Sequence, residues 1–298
     1  MNKTLLSYLL IIGIAGVAGA STGVILKRTM GPVEEMYPPG FSPDLYRDDT
    51  EKLYNEYMES HSIQGLTNSD IVNIALEKYK RCDNCYSLGI GVANTMGIGQ
   101  TIRNAQIKVG NEYFEESISY SSMVKLADRA NQHGKDGYVD YYHSQDSQVS
   151  GPETASYPAV PTARTKIDYK STFGKSLDEM FIYIISNQTV VSSTRNEVGG
   201  DYRIVLELDY SISTYYYKIQ MKNISGLSSL PPFSKVKQTY TISKDLTLKH
   251  AYMEETYVAT KASIPVPASV NATIDYYYYA DEEIQIPQYN EMINYNVQ

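Results

Sequence analysis

Thr4 to Leu26 is a run of 23 residues without a charge, and it constrains this chain more than any other feature. As an α-helix it spans roughly 34 Å, against a hydrocarbon core of about 30 Å. It is apolar on every face, which argues against a soluble core helix. Lys3 precedes the run and Lys27-Arg28 follow it. Ala18-Gly19-Ala20 before Ser21 fits a signal-peptide cleavage site. Yet Gly23-Val24-Ile25-Leu26 carry the run past that site, and cleaved signals have h-regions of about 7–15 residues. Residues 1–28 are therefore expected to be an uncleaved signal anchor, with cleavage as the alternative. The flanking charges tie under the positive-inside rule. The small-residue site and the composition of the body favour export. The expectation is a single-pass protein of the cell membrane with its bulk extracytoplasmic. No Cys directly follows the run, which argues against a lipid-modified N-terminus.

Without Lys3, Lys27 and Arg28 the remainder carries 23 basic and 34 acidic residues, a net charge of −11. That balance excludes the basic footprint of a nucleic-acid binder and disfavours lying on an anionic lipid surface. The chain of 298 residues is long enough to bury a core without staples. Its aromatics are skewed, with 29 Tyr, 5 Phe and no Trp. Tyrosine favours strands and pairs an apolar body with a wet tip, so the body reads as solvent-facing β-sheet.

Pro32, Pro38, Pro39 and Pro43 mark residues 29–49 as an extended linker, and residues 50–298 as the extracytoplasmic domain. Leu53, Tyr54, Tyr57 and Met58 lie at helical spacing over 50–60. A second helix starts at Thr67 or Asn68, with Ile71, Val72, Ala75, Leu76 and Tyr79 on one stripe. Residues 87–100 carry four glycines and read as a loop or a flat strand. Strands are expected over 101–109, 113–122, 138–143, 164–170, 189–195, 202–209, 236–242, 246–259 and 270–280. Gly110-Asn111 and Lys244-Asp245 serve as tight turns. Residues 144–162 read as a surface loop and 176–186 as a helix. A short helix capped by Ser211 or Ser213 runs to about Asn223. The clearest alternation sets Tyr202, Ile204, Leu206 and Leu208 against Arg203, Glu207 and Asp209.

Eight or nine strands in meander order, broken by short helices, predict an α+β fold. Its core is a large curved antiparallel β-sheet, half-barrel-like, with short helices on one face, preceded by the membrane-spanning helix. The run Tyr202 to Tyr257 reads strand, helix, Pro231-Pro232-Phe233, then hairpin, ending Glu254-Glu255-Thr256-Tyr257. It resembles uncharacterised single-pass envelope proteins of low-GC Gram-positive bacteria, and more distantly the lipoprotein-carrier half-barrel. The resemblance covers roughly the last third of the chain. It implies a concave sheet face that holds a lipid or another apolar ligand.

Cys82-Asp83-Asn84-Cys85 is the sharpest local motif. A closed zinc site needs four ligands, and no second pair accompanies this one. Redox exchange is a second reading, without a surrounding βαβ pattern. A local disulfide between Cys82 and Cys85, or two thiols, closing the helix end is preferred. Glu115-Glu116 and Glu254-Glu255 are adjacent in strands, so each pair splits across two faces and supports no acid/base site. No G-x-G-x-x-G, H-E-x-x-H or G-x-S-x-G occurs, so no catalytic residue, metal site or cofactor is expected. Tyr202, Tyr240, Tyr252, Tyr276 and Tyr278 are the candidate ligand-binding residues, with core packing as the favoured competing account. The expected function is non-catalytic binding of an apolar ligand by a membrane-tethered domain. The alternatives are an envelope interaction module and an enzyme with a dispersed site.

Overall fold

The computed structural model describes residues 42–95, 97–110, 112–121, 123, 125–135, 138–151, 163–168, 183–225, 227–261 and 263–280. The expected membrane span lies outside them. So do most of the helix expected over 176–186 and residues 152–162 of the expected loop. Among the described residues no helix is long and apolar enough to cross a membrane.

The first helix, α1 (Pro43–Ser60), starts inside the expected linker. Ser42 caps it in extended geometry, accepting from the Leu45 N–H at 3.4 Å, and Pro43 opens the first turn. A proline suits the first helical position, and the helix it opens puts the start of the folded region by residue 42 rather than at 50. The helix ends at His61, which is left-handed at φ 50. α2 (Asn68–Lys80) opens on a capping box. Thr67 Oγ1 accepts from the Asp70 N–H at 3.2 Å, and the Asp70 carboxylate accepts from the Thr67 N–H at 2.8 Å. Ile71 to Glu77 are all buried, because α2 lies between α1 and the sheet.

The strands are β1 (Asn84–Thr95), β2 (Ile98–Val109), β3 (Glu112–Ser121), β4 (Leu126–Lys135), β5 (Tyr138–Asp146), β6 (Ala163–Asp168), β7 (Val190–Val198), β8 (Asp201–Leu208), β9 (Phe233–Ile242), β10 (Leu248–Lys261) and β11 (Ile264–Tyr278). They form one antiparallel sheet of eleven strands, ordered β6-β5-β4-β3-β2-β1-β11-β10-β9-β8-β7. The count exceeds the expected eight or nine. The glycine-rich segment supplies most of β1 and the start of β2, and Leu-Ala-Asp-Arg-Ala-Asn-Gln-His-Gly-Lys adds β4 without any apolar alternation. Two meanders, β1 to β6 and β7 to β11, meet at the β1–β11 pair, from Cys85↔Tyr278 to Thr95↔Ala268.

Register divides the sheet into two faces. One row across the inner face runs Ile204, Tyr240, Ala251, Ile274, Gly89, Asn104 and Ser117. This face is largely apolar over β8–β11, where α2 covers it, and turns polar at β1–β3 with buried Ser87, Gln106, Glu115 and Ser119. The opposite face of β2–β4 holds a second apolar group, with Ile107 and Phe114 beside Tyr86, and Ile118 beside Ala127 and Val149. Pro265 and Pro267 lie inside central β11. Val258 and Thr260 direct their backbone groups to Pro232 and Ser228, away from β11. Their partners Pro267 and Pro265 therefore face their missing N–H to the other side, beyond the last β1 pair, Thr95↔Ala268.

α3 (Tyr210–Ser213) is capped by Asp209, which accepts from the Ser211 N–H at 2.9 Å, rather than by Ser211 or Ser213. Thr214 interrupts the helix before α4 (Tyr215–Ser225). In α4 Tyr217 and Met221 are buried; the Tyr217 ring lies 5.5 Å from Phe233, itself 5.0 Å from Tyr257.

Candidate functional site

Among the described residues, chemistry gathers at the helix-covered inner face, the outer edge of end strand β7, and the cysteine turn.

Four of the candidate tyrosines, Tyr202, Tyr240, Tyr276 and Tyr278, fall on the inner face by register, while Tyr252 falls on the other. The structure therefore does not gather the five on one surface. Tyr276 and Tyr278 pack edge-on against Tyr79 of α2, with ring centroids 4.8 and 5.8 Å away. Tyr240 donates to Gln238 Oε1 at 2.6 Å and Tyr278 to Leu248 O at 2.8 Å. Burial raises the Tyr240, Tyr276 and Tyr278 phenols above their usual range. Tyr202 lies at the rim, with the Lys244 ammonium 3.9 Å above its ring. Tyr252 donates to Glu254 at 3.3 Å on the opposite face, and Glu254 pairs with Lys235 at 2.6 Å.

Deeper on the inner face lies Glu255, 2 % exposed, between Val236 and Val270. Both its carboxyl oxygens and the Gln238 amide nitrogen are buried without a hydrogen-bond partner. Burial pushes the Glu255 carboxyl well above the usual carboxylate range. The sequence carried the signal: Ala251, Met253, Glu255, Tyr257 and Ala259 share one parity in β10, and all five are buried. The two Glu-Glu pairs do split across the sheet. Glu115 accepts from Asn104 at 2.6 Å and Tyr113 at 2.5 Å on the inner side, while Glu116 lies 3.5 Å from Arg129 on the other.

β7 is the sheet's end strand, and Val191 to Val198 are all exposed. Its turn to β8 is Gly199-Gly200, both at positive φ, 60 and 89. That is the geometry of a two-residue hairpin with matched right-handed twist. The flanking pair Val198↔Asp201 then exchanges hydrogen bonds, and so by alternation do Asn196 and Thr194. Ser193, Arg195 and Glu197 accordingly turn their N–H and C=O groups away from β8, to an edge with which no strand pairs among the described residues.

Cys82 is partly buried and Cys85 fully buried, and both are thiols. Elsewhere, a cleft of about 300 Å³ opens beside Ser42, lined by Tyr46, Asp49, Asn73 and Gln188. Tyr46 in its wall donates to Asn73 at 3.0 Å, and burial raises its phenol to about 12. His250 Nδ1 lies 2.7 Å from Asp275, a cross-strand pair that sequence spacing did not reveal. Among the described residues no three His, Cys, Asp or Glu side chains are placed to hold a metal ion.

No known protein family and no curated protein matches this chain. Among solved structures it is similar to a DUF1329 family protein from Desulfovibrio piger, at 12% identity over 73% of this chain and 93% of that one, with a TM-score of 0.28. A fusion DH domain matches at 11% identity over 67% and 72% of the two chains, TM-score 0.14. An N-terminal dehydratase from the difficidin assembly line matches at 8% over 75% and 84%, TM-score 0.16. Superpositions this loose carry no assignment of activity.

Proposed function

We propose that this chain is a membrane-tethered, extracytoplasmic and non-catalytic interaction module. Residues 1–28 span the membrane, and the curved, half-barrel-like sheet docks an extended segment of another envelope polypeptide along β7. What supports docking is the edge itself. Nine residues of strand, about 30 Å at 3.3 Å per residue, end the sheet with Val191 to Val198 exposed and alternate backbone groups directed outward. Strand addition uses such an edge, with main-chain hydrogen bonds supplying affinity and alternate side chains specificity.

The test places a photo-crosslinking residue at Thr194 of the full chain in intact cells, with and without Arg195→Pro. The proline removes one edge-facing N–H and leaves the β7–β8 ladder intact. The expected result is one crosslinked product of fixed mass that the proline abolishes while the melting temperature holds. A product unchanged by the proline, or no product, refutes docking at this edge. External protease digesting the body in intact cells supports the orientation; protection until lysis refutes it.

One observation favours a second reading, in which the inner face takes an apolar, lipid-like ligand. Glu255 and Gln238 offer a buried donor and acceptor without partners amid aliphatic side chains, which is how a pocket fixes the polar end of such a ligand. Mass spectrometry of lipids co-purifying with the full chain tests it. The packing of Tyr276 and Tyr278 against Tyr79 weighs on the other side.

A further inference from the structure

The Cys82-Asp83-Asn84-Cys85 turn plays no part in docking. It links the C-terminal end of α2 to the first residues of β1. We propose that Cys82 and Cys85 are a reversible dithiol–disulfide site that exchanges with disulfide-bearing molecules, Cys82 attacking and Cys85 resolving.

The placement of the two sulfurs differs in the way such exchange needs. Cys82 keeps part of its surface exposed to solvent, whereas Cys85 is fully buried. The turn keeps them adjacent, with Cys85 Sγ 4.0 Å from Cys82 O and Cys82 Sγ 3.3 Å from Asn84 O. Lys108 is the cross-strand partner of Cys85, and its ammonium is held at the turn by Lys80 O at 2.7 Å. Around the pair stand Lys108 from β2, Asp83 in the turn, Tyr79 from α2, and Tyr276 and Tyr278 from β11. A hydrogen bond with the Cys85 thiol lowers the Cys82 thiol to about 6, with partial burial and Asp83 opposing and Lys108 assisting. The same hydrogen bond, then burial, raises Cys85. The α2 C-terminus works against a thiolate, so the lowering comes from these neighbours and not from the helix. The two thiols titrate as a coupled pair.

The step balances without a further reagent. The Cys82 thiolate attacks a partner disulfide R–S–S–R′, forming Cys82–S–S–R and releasing R′–S⁻, which takes a proton. The Cys85 thiol gives up its proton and attacks Cys82 Sγ, forming the Cys82–Cys85 disulfide and releasing R–S⁻, protonated in turn. The dithiol loses two electrons, and the partner disulfide is reduced to two thiols.

The test uses the reduced full chain in glutathione buffers of graded ratio, with free thiols trapped by alkylation and weighed. Wild type should pass in one step from two free thiols to an internal disulfide, without a lasting glutathione adduct. Cys85→Ser should accumulate one glutathione on residue 82, whereas Cys82→Ser should accumulate none. The alkylation rate of Cys82 should rise with a midpoint near pH 6. Two thiols that persist under excess oxidised glutathione overturn the proposal, as does a stable adduct on wild type. A Cys82 midpoint at the ordinary thiol value of about 8.5 overturns the order of attack. The wild-type measurements need no substitution to fold.

Discussion

Replacing Glu255 by methionine should stabilise the protein, and the gain should grow with pH. The carboxyl is 2 % exposed, has no hydrogen-bond partner, and is flanked across the sheet by Val236 and Val270. A buried polar group left unpaired costs about 1–3 kcal/mol, and methionine is a flexible apolar side chain of similar length. Glu255→Met should therefore gain about that much at pH 8, and each kcal/mol raises Tm by about 2–4 °C in a domain of this size. The pH dependence follows from the raised folded-state pKa. Below about pH 4.3, the value for an unfolded glutamate, both states hold the proton and no linkage cost exists. As pH rises from there toward the folded value, the unfolded chain gives up the proton while the folded chain keeps it, so wild type loses stability relative to the variant. Glu255→Gln, which cannot ionise, should share this slope but gain less. Urea unfolding of all three chains at pH 4, 6 and 8 measures both effects. A wild-type-to-methionine gap that stays constant over that range refutes the reasoning. So does a methionine variant less stable than wild type at pH 8.

Three further outcomes can be checked. Ile204→Ala, at a fully buried inner-face position, should cost about 2–5 kcal/mol in chemical denaturation, whereas Val205→Ala one residue along should cost under about 1.5. Thr67→Ala removes one half of the α2 capping box and should cost about 1 kcal/mol by the same measurement. Gly200 is at φ 89 with nothing within 4 Å of the place a Cβ would take, so Gly200→Ala should cost about 1 kcal/mol from backbone strain alone and perturb the β7–β8 resonances in NMR spectra first.

Where burial is one-sided, local sequence carried the structure. Tyr202, Ile204, Leu206 and Leu208 are inside and Arg203 and Glu207 outside, as the alternation required. The α2 start was legible because its cap uses residue types with one local purpose. The β4 strand was not legible, since Asp128, Asn131, Gln132 and His133 give no period-2 apolar signal and pairing with β3 decides their conformation. The α1 start was missed because Pro43 serves a linker and a first helical turn equally well. The exposed edge of β7 depends on where the strand lies in the sheet, and the buried state of Glu255 on its cross-strand neighbours Val236 and Val270 and on the covering of the inner face; neither is a local property. For the thiols, the C-x-x-C spacing was visible, whereas the inequality of the two sulfurs comes from the hydrogen bond between them and the deeper burial of Cys85, which only the fold sets.

The joint between β1 and β11 sets a timetable for the growing chain. Ile90 and Thr273, whose side-chain hydroxyl reaches the Ile90 carbonyl at 3.3 Å, are 183 positions apart. The first six strands can zip hairpin by hairpin as they emerge from the ribosome, but β1 keeps a bare flank until the closing strand is synthesised. A message truncated before residue 264 would thus yield a product with a sticky seam through what should be the sheet's centre, the form most in need of a chaperone.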